Sequence, residues 1–286
     1  MEAILRIALQ KSGRLNERSQ SLLRECGIDL SNGHSRLKAR ASNFPLDVLF
    51  LRDDDIPQYV ADRVADVGIL GENVVAEKGR PVRVVEPLGF ARCRLSLAIR
   101  HEDEYSGTAW FSGKKIATSY PNILNRHLLA AGVSAAVEEI SGSVEIAPGI
   151  GLADGICDIV SSGSTLFSNG LKEVETVMES QAVLIANPEL SPAKQALLDK
   201  LVFRIRAARN ARDNKYILLN APNSALENIC RILPGMKSPT VLPLAEAGWS
   251  SIHSVVREEK FWEVIDQLKD LGAQGILVIP IEKMVV

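Results

Sequence analysis

Short runs of Val, Ile and Leu alternate with amphipathic stretches along most of the chain, and this alternation constrains the fold more than any other feature. The runs predict β-strands, and apolar residues at helical spacing predict helices between them. The predicted strands are Ile4–Leu9, Asp47–Leu51, Asp66–Leu70, Leu95–Ile99, Lys115–Thr118, Ala136–Ile140, Asp158–Val160 and Ala182–Ala186. The predicted helices are Asn16–Cys26, Ile56–Val64, Asn122–Ala131 and Pro192–Ala208. This order is typical of α/β units with largely parallel sheets.

The order of elements changes near the C-terminus. The segment Ala207–Asn214 is polar, so we expect irregular structure there and a domain boundary near Ala211. The elements predicted beyond it are strand Lys215–Leu219, helix Asn223–Leu233, strands Pro239–Leu244 and Trp249–Val256, helix Glu259–Leu271 and strand Gly275–Pro280. The order βαββαβ predicts a ferredoxin-like domain.

Composition favours small-molecule partners. Hydrophobic residues make up 46% of the chain, charged residues 24%, and the net charge is −2. No basic excess is present to attract nucleic acid or anionic lipid. No run of about 18 apolar residues is found, and the N-terminus lacks the pattern of a signal peptide, so we expect a cytoplasmic protein without membrane spans.

Cysteine and histidine spacing does not indicate a metal site. No pair of cysteines forms a C-x-x-C motif, so we expect reduced thiols at Cys26, Cys93, Cys157 and Cys230. The histidines show no metal-binding spacing and are expected to be solvated or packed; they are His34, His101, His127 and His253.

An internal echo predicts two similar lobes. Residues Ala61–Val74 align with Ala153–Leu166 in the pattern A-D-x-[VI]-x-D-[VI]-x-x-x-G-x-[NT]-[VL], and the same register sets Asp53 against Glu145. Each copy is expected to contain a short helix ending in Ala-Asp, a strand that begins at the second Asp, and a turn with glycine. Coincidence between two generic α/β units is the alternative.

The second copy carries a candidate phosphate loop. A strand ending at Val160 delivers Ser161, Ser162, Gly163, Ser164 and Thr165 to the edge where α/β sheets bind ligands. Small residues let backbone N–H groups and hydroxyls approach a phosphate, although an ordinary Ser/Gly connection has the same composition. The nearby acids Asp158 and Glu145 favour a site, since a sugar pyrophosphate brings Mg²⁺ and develops positive charge at its anomeric carbon.

Two familiar nucleotide motifs are absent. Gly149–Asp154 matches a dinucleotide fingerprint at four positions, but Asp154 replaces its final Gly or Ala and the run precedes a strand. No G-x-x-x-x-G-K-[ST] sequence occurs, so an ATP site would not be of the Walker type.

Eight segments of the sequence resemble those of the ATP phosphoribosyltransferase family, in its long form with a regulatory domain. The similar segments are Gln10–Leu15, Arg52–Pro57, Gly71–Val74, Cys93–Leu97, Ile116–Asn122, Glu145–Leu166, Ser238–Val241 and Ile281–Lys283. The resemblance implies a two-lobed catalytic region like that of periplasmic binding proteins. It places lobe I at residues 1–94 and 182–210, lobe II at 95–181 and a ferredoxin-like regulatory domain at 211–286.

The resemblance also implies substrates and roles. Asp158 and the loop Ser161–Thr165 would hold 5-phosphoribosyl pyrophosphate, with Lys11 and Arg52 on its pyrophosphate. The catalytic set is Glu145, Asp158, Lys11 and Arg52, and the residues placed near ATP are Arg14, Gly71 and Tyr120. Mg²⁺ would enter with the substrate, with Glu145 or Asp158 as candidate contacts. Many phosphoribosyltransferases of other folds have two adjacent acids before this loop, whereas Ile159 follows Asp158 here.

Each role has a simpler alternative. Glu145 could be a helix-start carboxylate, Tyr120 could serve packing instead of stacking on adenine, and Arg14 could be solvated. The C-terminal domain is implied to bind histidine as an inhibitor at contacts in a homo-oligomer, from dimer to hexamer; the residues implied near histidine are Asn220, Ser238, Thr240 and Ala273. Assembly alone is the alternative for that domain. A solute-binding or sensor protein of the same two-lobed shape is the rival for the whole chain.

Overall fold

The computed structural model describes residues 3–30 and 37–286, and His34 lies outside these ranges. The chain divides into two compact units, residues 1–24 with 28–198 and residues 25–27 with 199–286. The boundary falls inside one long helix, and the unit beyond it contains the larger, C-terminal part of that helix and the C-terminal sheet. Among the described helices, none is long and apolar enough to span a membrane.

The larger unit begins with one set of strands and helices and continues with a second. The first set is β1 (Leu5–Gln10), α1 (Arg14–Glu25), β2 (Lys38–Arg40), β3 (Leu46–Leu51), α2 (Ile56–Ala61), β4 (Val67–Gly71), α3 (Glu72–Lys78) and β5 (Arg83–Pro87). The second set is β6 (Cys93–Arg100), β7 (Lys115–Thr118), α4 (Pro121–Ala130), β8 (Ala136–Glu139), β9 (Gly155–Val160), α5 (Ser164–Ser168) and β10 (Leu171–Ser180). The strand β11 (Ala182–Ala186) and the helix α6 (Pro192–Asp213) follow.

These strands form two sheets with the same internal order. The first is β2-β3-β1-β4-β11-β5, and the second is β10-β6-β9-β7-β8. In each, a central strand (β1 or β7) pairs in parallel with two neighbours (β3 and β4, or β8 and β9), and two antiparallel strands follow (β11 and β5, or β6 and β10). We call these two sheets and their helices lobe I and lobe II. The two predicted lobes are therefore confirmed, and so is the α/β fold class.

Two expectations about these sheets were wrong. The sheets are mixed instead of largely parallel, because β11 returns to lobe I and β6 and β10 run antiparallel to their neighbours. The residue register of the repeat holds at Gly71 and Gly163, which directly precede α3 and α5, but it fails at the strand starts. Strand β4 begins directly after Asp66, whereas β9 begins at Gly155, three residues before Asp158. Turns, not a helix, precede β9. Consequently Asp66 lies at the amino end of its strand and Asp158 near the carboxyl end.

Asp66 has a structural environment of its own. It is buried, accepts the backbone N–H of Arg6 at 2.8 Å and pairs with the Lys194 ammonium at 2.7 Å. This buried carboxylate ties the start of α6 to the amino ends of β1 and β4. It is therefore a packing residue, not a counterpart of Asp158.

The smaller unit has the predicted βαββαβ order. Its elements are β12 (Asn214–Pro222), α7 (Leu226–Ile232), β13 (Thr240–Pro243), β14 (Trp249–Arg257), α8 (Glu258–Asp270) and β15 (Gln274–Pro280). The antiparallel sheet has the order β13-β14-β12-β15, with α7 and α8 packed on one face through Ile229, Phe261 and Leu268. This confirms the ferredoxin-like domain. The prediction of irregular structure over Ala207–Asn214 was wrong, since α6 continues to Asp213 and leads directly into β12.

Candidate active site

The predicted site residues of the catalytic region lie at or near the carboxyl ends of strands in the two lobes. In lobe I, Lys11 follows β1, Arg52 follows β3 and Gly71 ends β4. The Lys11 N–H donates to the Leu51 carbonyl at 2.7 Å, which holds the ends of β1 and β3 together. Arg14 begins α1 one residue after Gly13, whose φ of +88° makes the sharp turn out of the strand. Ligands of α/β sheets bind at this edge.

Lobe II presents the equivalent edge. Tyr120 comes two residues after β7, Glu145 lies in a short 3₁₀ helix after β8, and the loop Ser161–Thr165 follows β9. Three hydrogen bonds fix the end of β7: the Thr118 hydroxyl donates to the Cys157 carbonyl at 2.6 Å and accepts the Tyr120 N–H at 2.9 Å, and the Ser119 hydroxyl donates to the Ile140 carbonyl at 2.6 Å. Side chains at these strand ends are thus held by the sheet itself.

The loop after β9 exposes hydroxyls around one left-handed glycine. Gly163 has φ +80° and precedes the first residue of α5, and the hydroxyls of Ser162 and Ser164 lie 3.0 Å apart. The hydroxyl-bearing residues of this loop are all exposed; they are Ser161, Ser162, Ser164 and Thr165. A positive φ next to a run of small residues directs successive backbone N–H groups toward one side, which is the geometry of anion-binding loops.

The pKa of Tyr120 is influenced by acidic residues of both lobes. Burial raises the pKa of its phenol most, and the negative charges of Asp158 in lobe II and of Asp53 in lobe I raise it further. A hydrogen bond with the Asn73 side chain acts in the opposite direction. The Tyr120 phenol is therefore close enough to Asp158 of lobe II and to Asp53 of lobe I for both charges to act on it.

The predicted acids of lobe II also interact with each other. The pKa of Asp158 is raised, chiefly by burial and also by the negative charge of Glu145, while a hydrogen bond from the Ile159 backbone N–H lowers it. Two carboxylates in each other's field would both gain from a cation between them. Carboxylate oxygens are ligands that Mg²⁺ accepts, so these residues fit a metal carried by a substrate. Among residues 3–30 and 37–286, no three acidic, histidine or cysteine side chains are grouped to hold a metal by themselves.

Sequence patterns did not predict a hydrogen-bonded ion pair, Arg94 with Glu173, that contacts the start of the loop. The Arg94 guanidinium donates two bonds of 2.5 Å to the carboxylate of Glu173, which also accepts the Ser96 hydroxyl at 2.8 Å. A third bond runs from Arg94 to the Ser161 carbonyl at 3.3 Å, the first residue of the loop. The family-like run Cys93–Leu97 contains Arg94, but Glu173 lies on β10, a strand that the sequence patterns did not reveal.

Gly71 also has a role that its position alone did not indicate. A Cβ at Gly71 would stand 2.3 Å from the Asn73 Oδ1, so a side chain here would displace Asn73. Asn73 is buried and hydrogen-bonds to Ser180 at the end of β10 as well as to Tyr120. The absence of a side chain at Gly71 therefore leaves room for Asn73, which interacts with Tyr120.

The four residues placed near histidine fall into two groups on the C-terminal sheet. Asn220 on β12 is paired with Gln274 of β15, and buried Ala273 directly precedes that strand. Ser238 and Thr240 are exposed at β13, an edge strand, and β14 separates them from Asn220. Within one chain, these residues do not converge on one pocket.

Comparison with known proteins identifies the family of the chain. A family model described as ATP phosphoribosyltransferase matches residues 52–207, and one described as the C-terminal domain of HisG matches residues 211–283. ATP phosphoribosyltransferases of Cytophaga hutchinsonii and Bacteroides fragilis are 59% and 58% identical, covering 100% and 99% of this chain and 100% of each relative. A solved structure, the ATP phosphoribosyl transferase (HisG:HisZ) complex from Thermotoga maritima, has 27% identity and a TM-score of 0.62 over 71% of this chain and 99% of its own.

The first family model covers more than half of the chain, and the two curated relatives match it from end to end. The chain therefore belongs to the ATP phosphoribosyltransferase family, enzymes of the pentosyltransferase class.

Proposed function

We propose that this enzyme joins N1 of the ATP adenine to the anomeric carbon of 5-phosphoribosyl pyrophosphate and releases pyrophosphate, as the first step of histidine biosynthesis. What supports the proposal is that Lys11 and Arg52 of lobe I and the hydroxyl-rich loop of lobe II all follow the carboxyl ends of strands, with Tyr120 close to acids of both lobes. Family membership supplies the two substrates. The residues at these strand ends provide a candidate partner for the phosphate, the ribose, the pyrophosphate and the adenine of the two substrates.

We assign the loop Ser161–Thr165 to the 5-phosphate and Asp158 to the ribose hydroxyls. Lys11 and Arg52 would neutralise the pyrophosphate, which needs cationic partners as it leaves. Both basic residues follow adjacent parallel strands of lobe I, whereas the loop belongs to lobe II. A substrate held in this way would span the two lobes.

Arg14, Gly71 and Tyr120 would form the ATP side. Arg14 stands at the first turn of a twelve-residue helix, where negative phosphate is favoured. Tyr120 offers a ring for stacking on adenine. The adenine N1 is a weak nucleophile, so most of the acceleration would come from positioning and charge stabilisation.

In the reaction, a bond forms between N1 and the anomeric carbon while the bond from that carbon to the pyrophosphate oxygen breaks. Positive charge reaches the adenine ring and is relieved when its amino group gives up a proton. Glu145 is our candidate for accepting that proton or for orienting the sugar, and Asp158 is its neighbour. Glu145 or Asp158 would be the protein's contact for a Mg²⁺ carried by the substrate, and such an ion would supply stabilisation of the leaving group's negative charge.

The C-terminal unit would be the histidine sensor. Its edge strand β13 is exposed over its whole length, and small sheets with open edges commonly pair with further copies. Ser238 and Thr240 of one copy would then combine with groups of another around the ligand, in an oligomer from dimer to hexamer. Histidine would favour one packing of the assembly and thereby inhibit without entering the cleft.

A product assay tests the catalytic proposal. The protein is mixed with ATP, 5-phosphoribosyl pyrophosphate and Mg²⁺, and pyrophosphate release is followed together with the mass of the nucleotide. We expect release only when both substrates are present, with a nucleotide heavier by one phosphoribosyl group. Binding of both substrates without any turnover would favour the rival, a sensor of the same shape.

A further inference from the structure

Helix α3 of lobe I is bonded to helix α4 of lobe II, and Glu77 makes the central contact. Its side chain is only 6% exposed, and its two carboxylate oxygens accept the N–H groups of Asn122 and Ile123, each at 2.9 Å. The Asn122 amide donates to the Glu77 carbonyl at 3.1 Å, and Arg126 donates to the Ala76 carbonyl at 2.8 Å. A buried carboxylate of one lobe thus serves as the N-terminal cap of a helix in the other.

The cap accounts for every free donor at the start of α4. The first N–H groups of a helix have no partner within it. Pro121 has no N–H, Asn122 and Ile123 donate to Glu77, and Leu124 makes the first intrahelical bond to the Tyr120 carbonyl at 3.1 Å. Tyr120 stands at the capping position, yet its own side chain makes no capping bond. The helix start therefore depends on the other lobe for its cap.

Asn73, near the N-terminal end of α3, interacts with the hydroxyl of Tyr120. The Asn73 N–H donates to the Ser180 hydroxyl at 3.1 Å, and that hydroxyl donates to Asn73 Oδ1 at 2.9 Å. With its oxygen occupied, the Asn73 side chain is oriented to hydrogen-bond with the Tyr120 phenol. The Tyr120 backbone is bonded to Thr118 and to Leu124, within the helix start that Glu77 caps, and its hydroxyl interacts with Asn73.

We propose that Glu77 is a positioning residue for the nucleotide: by capping α4, it fixes Tyr120 in the cleft before ATP binds. This inference rests on the proposed contact between Tyr120 and adenine. A ring already held in place loses little freedom on binding, so ATP affinity benefits directly from the cap. In the described part of the chain, the bonds between Glu77 and the start of α4 do not involve the loop Ser161–Thr165, so we expect affinity for 5-phosphoribosyl pyrophosphate to change little when the cap is lost.

The test uses Glu77→Gln in the full chain, with Glu77→Asp as the conservative variant and Glu104→Gln as the control for loss of one exposed carboxylate. Gln keeps the shape of Glu77 but has one acceptor oxygen in place of two. Hydrogen exchange at the amides of Asn122 and Ile123 reports the cap, and calorimetry reports the affinity for each substrate. Tyr120→Ala measures separately what the tyrosine contributes to ATP binding.

We expect faster exchange at these two amides in Glu77→Gln and a Kd for ATP raised about 5- to 30-fold, as for the loss of a helix cap. The Kd for 5-phosphoribosyl pyrophosphate should stay within about twofold, Glu77→Asp should recover part of the ATP affinity, and Glu104→Gln should match the wild type. Faster exchange with unchanged ATP affinity would overturn the inference and make Glu77 a structural cap only.

Equal losses for both substrates would also overturn it, because they indicate general damage. Unchanged ATP affinity in Tyr120→Ala would overturn the nucleotide role of Tyr120 itself and the inference with it. The product assay described above is independent of this outcome, so failure of the inference is distinguishable from failure of the proposed reaction.

Discussion

At the scale of single residues, Asp158 combines a stability cost with a proposed binding role. Burial and the neighbouring Glu145 charge raise its pKa above the ordinary 3.8. A raised pKa means that protonation stabilises the fold. That contribution is complete below pH 3.8 and is lost as the pH rises through the raised value. At neutral pH, therefore, the ionised carboxylate destabilises the free enzyme.

The prediction is that Asp158→Asn melts at a higher temperature than the wild type at pH 7, and that the difference shrinks as the pH falls toward 4. Its affinity for 5-phosphoribosyl pyrophosphate should fall by about 10- to 100-fold, as for loss of a charged hydrogen-bond acceptor. Thermal unfolding across pH and calorimetry measure the two effects, with Glu104→Gln as the exposed control. A melting difference that does not vary with pH would contradict this account of Asp158.

Glu145→Gln separates catalysis from binding. If Glu145 acts on charge in the transition state, kcat should fall by about 100-fold while the KM values change little. Steady-state kinetics with each substrate varied in turn gives both constants. A loss confined to the KM values would leave Glu145 a binding role only.

At the scale of elements, the loop after β9 depends on the backbone of Gly163. A residue with a Cβ at φ +80° costs about 1–2 kcal/mol, and no atom lies within 4 Å of the added Cβ to disturb the core. Gly163→Val should therefore fold, yet bind 5-phosphoribosyl pyrophosphate at least about tenfold more weakly, because the branched side chain strains the loop and blocks close approach to the phosphate.

Gly170→Val is the matched control for that variant. Gly170 has φ +67° and equally open surroundings, but it follows α5 at its far end. It should show a similar loss in melting temperature with near-normal affinity measured by calorimetry. Equal affinities in the two variants would remove the loop from the substrate site.

The same elements show what sequence patterns could and could not predict. Strands such as Lys115–Thr118 and Ala182–Ala186 coincide with β7 and β11, since apolar runs mark buried strands. The ten-residue β10 escaped detection because charged residues such as Glu173 and Glu175 interrupt it and two bulges break its alternation. The helix α6 was expected to end early because its last turns are polar.

The position of a candidate residue at a strand end was predictable wherever it follows a strand directly, as Lys11, Arg52 and the loop after β9 do. Long-range partners were not. Glu77 caps a helix 45 residues away, and Glu173 supports an arginine 79 residues away. Such contacts depend on how strands are ordered in the sheets, and neither composition nor local spacing encodes that order.

At the scale of the whole molecule, regulation is expected to reside in the C-terminal unit. Thr240→Arg places a long cation on the exposed strand β13, where we expect histidine and a second copy to meet. The variant should keep its activity without histidine and lose at least about tenfold in sensitivity to it, because the charge and bulk oppose that contact. Inhibition curves at fixed substrate levels measure the change.

Gln267→Arg, on the exposed side of α8 in the same unit, is the control and should remain sensitive to histidine. Full inhibition of Thr240→Arg would show that the sensor lies elsewhere. Failure of the wild-type chain to bind histidine in calorimetry would show that the unit serves assembly alone.

The central claim is that the cleft between the two lobes joins a sugar to N1 of adenine, and nuclear magnetic resonance of the product tests it most directly. ATP labelled with ¹⁵N at N1 and 5-phosphoribosyl pyrophosphate labelled with ¹³C at the anomeric carbon are incubated with the enzyme. We predict a one-bond coupling between the two labels, growing in step with released pyrophosphate and absent without enzyme. A product that lacks this coupling, or tight binding of both substrates with no product at all, would contradict the account.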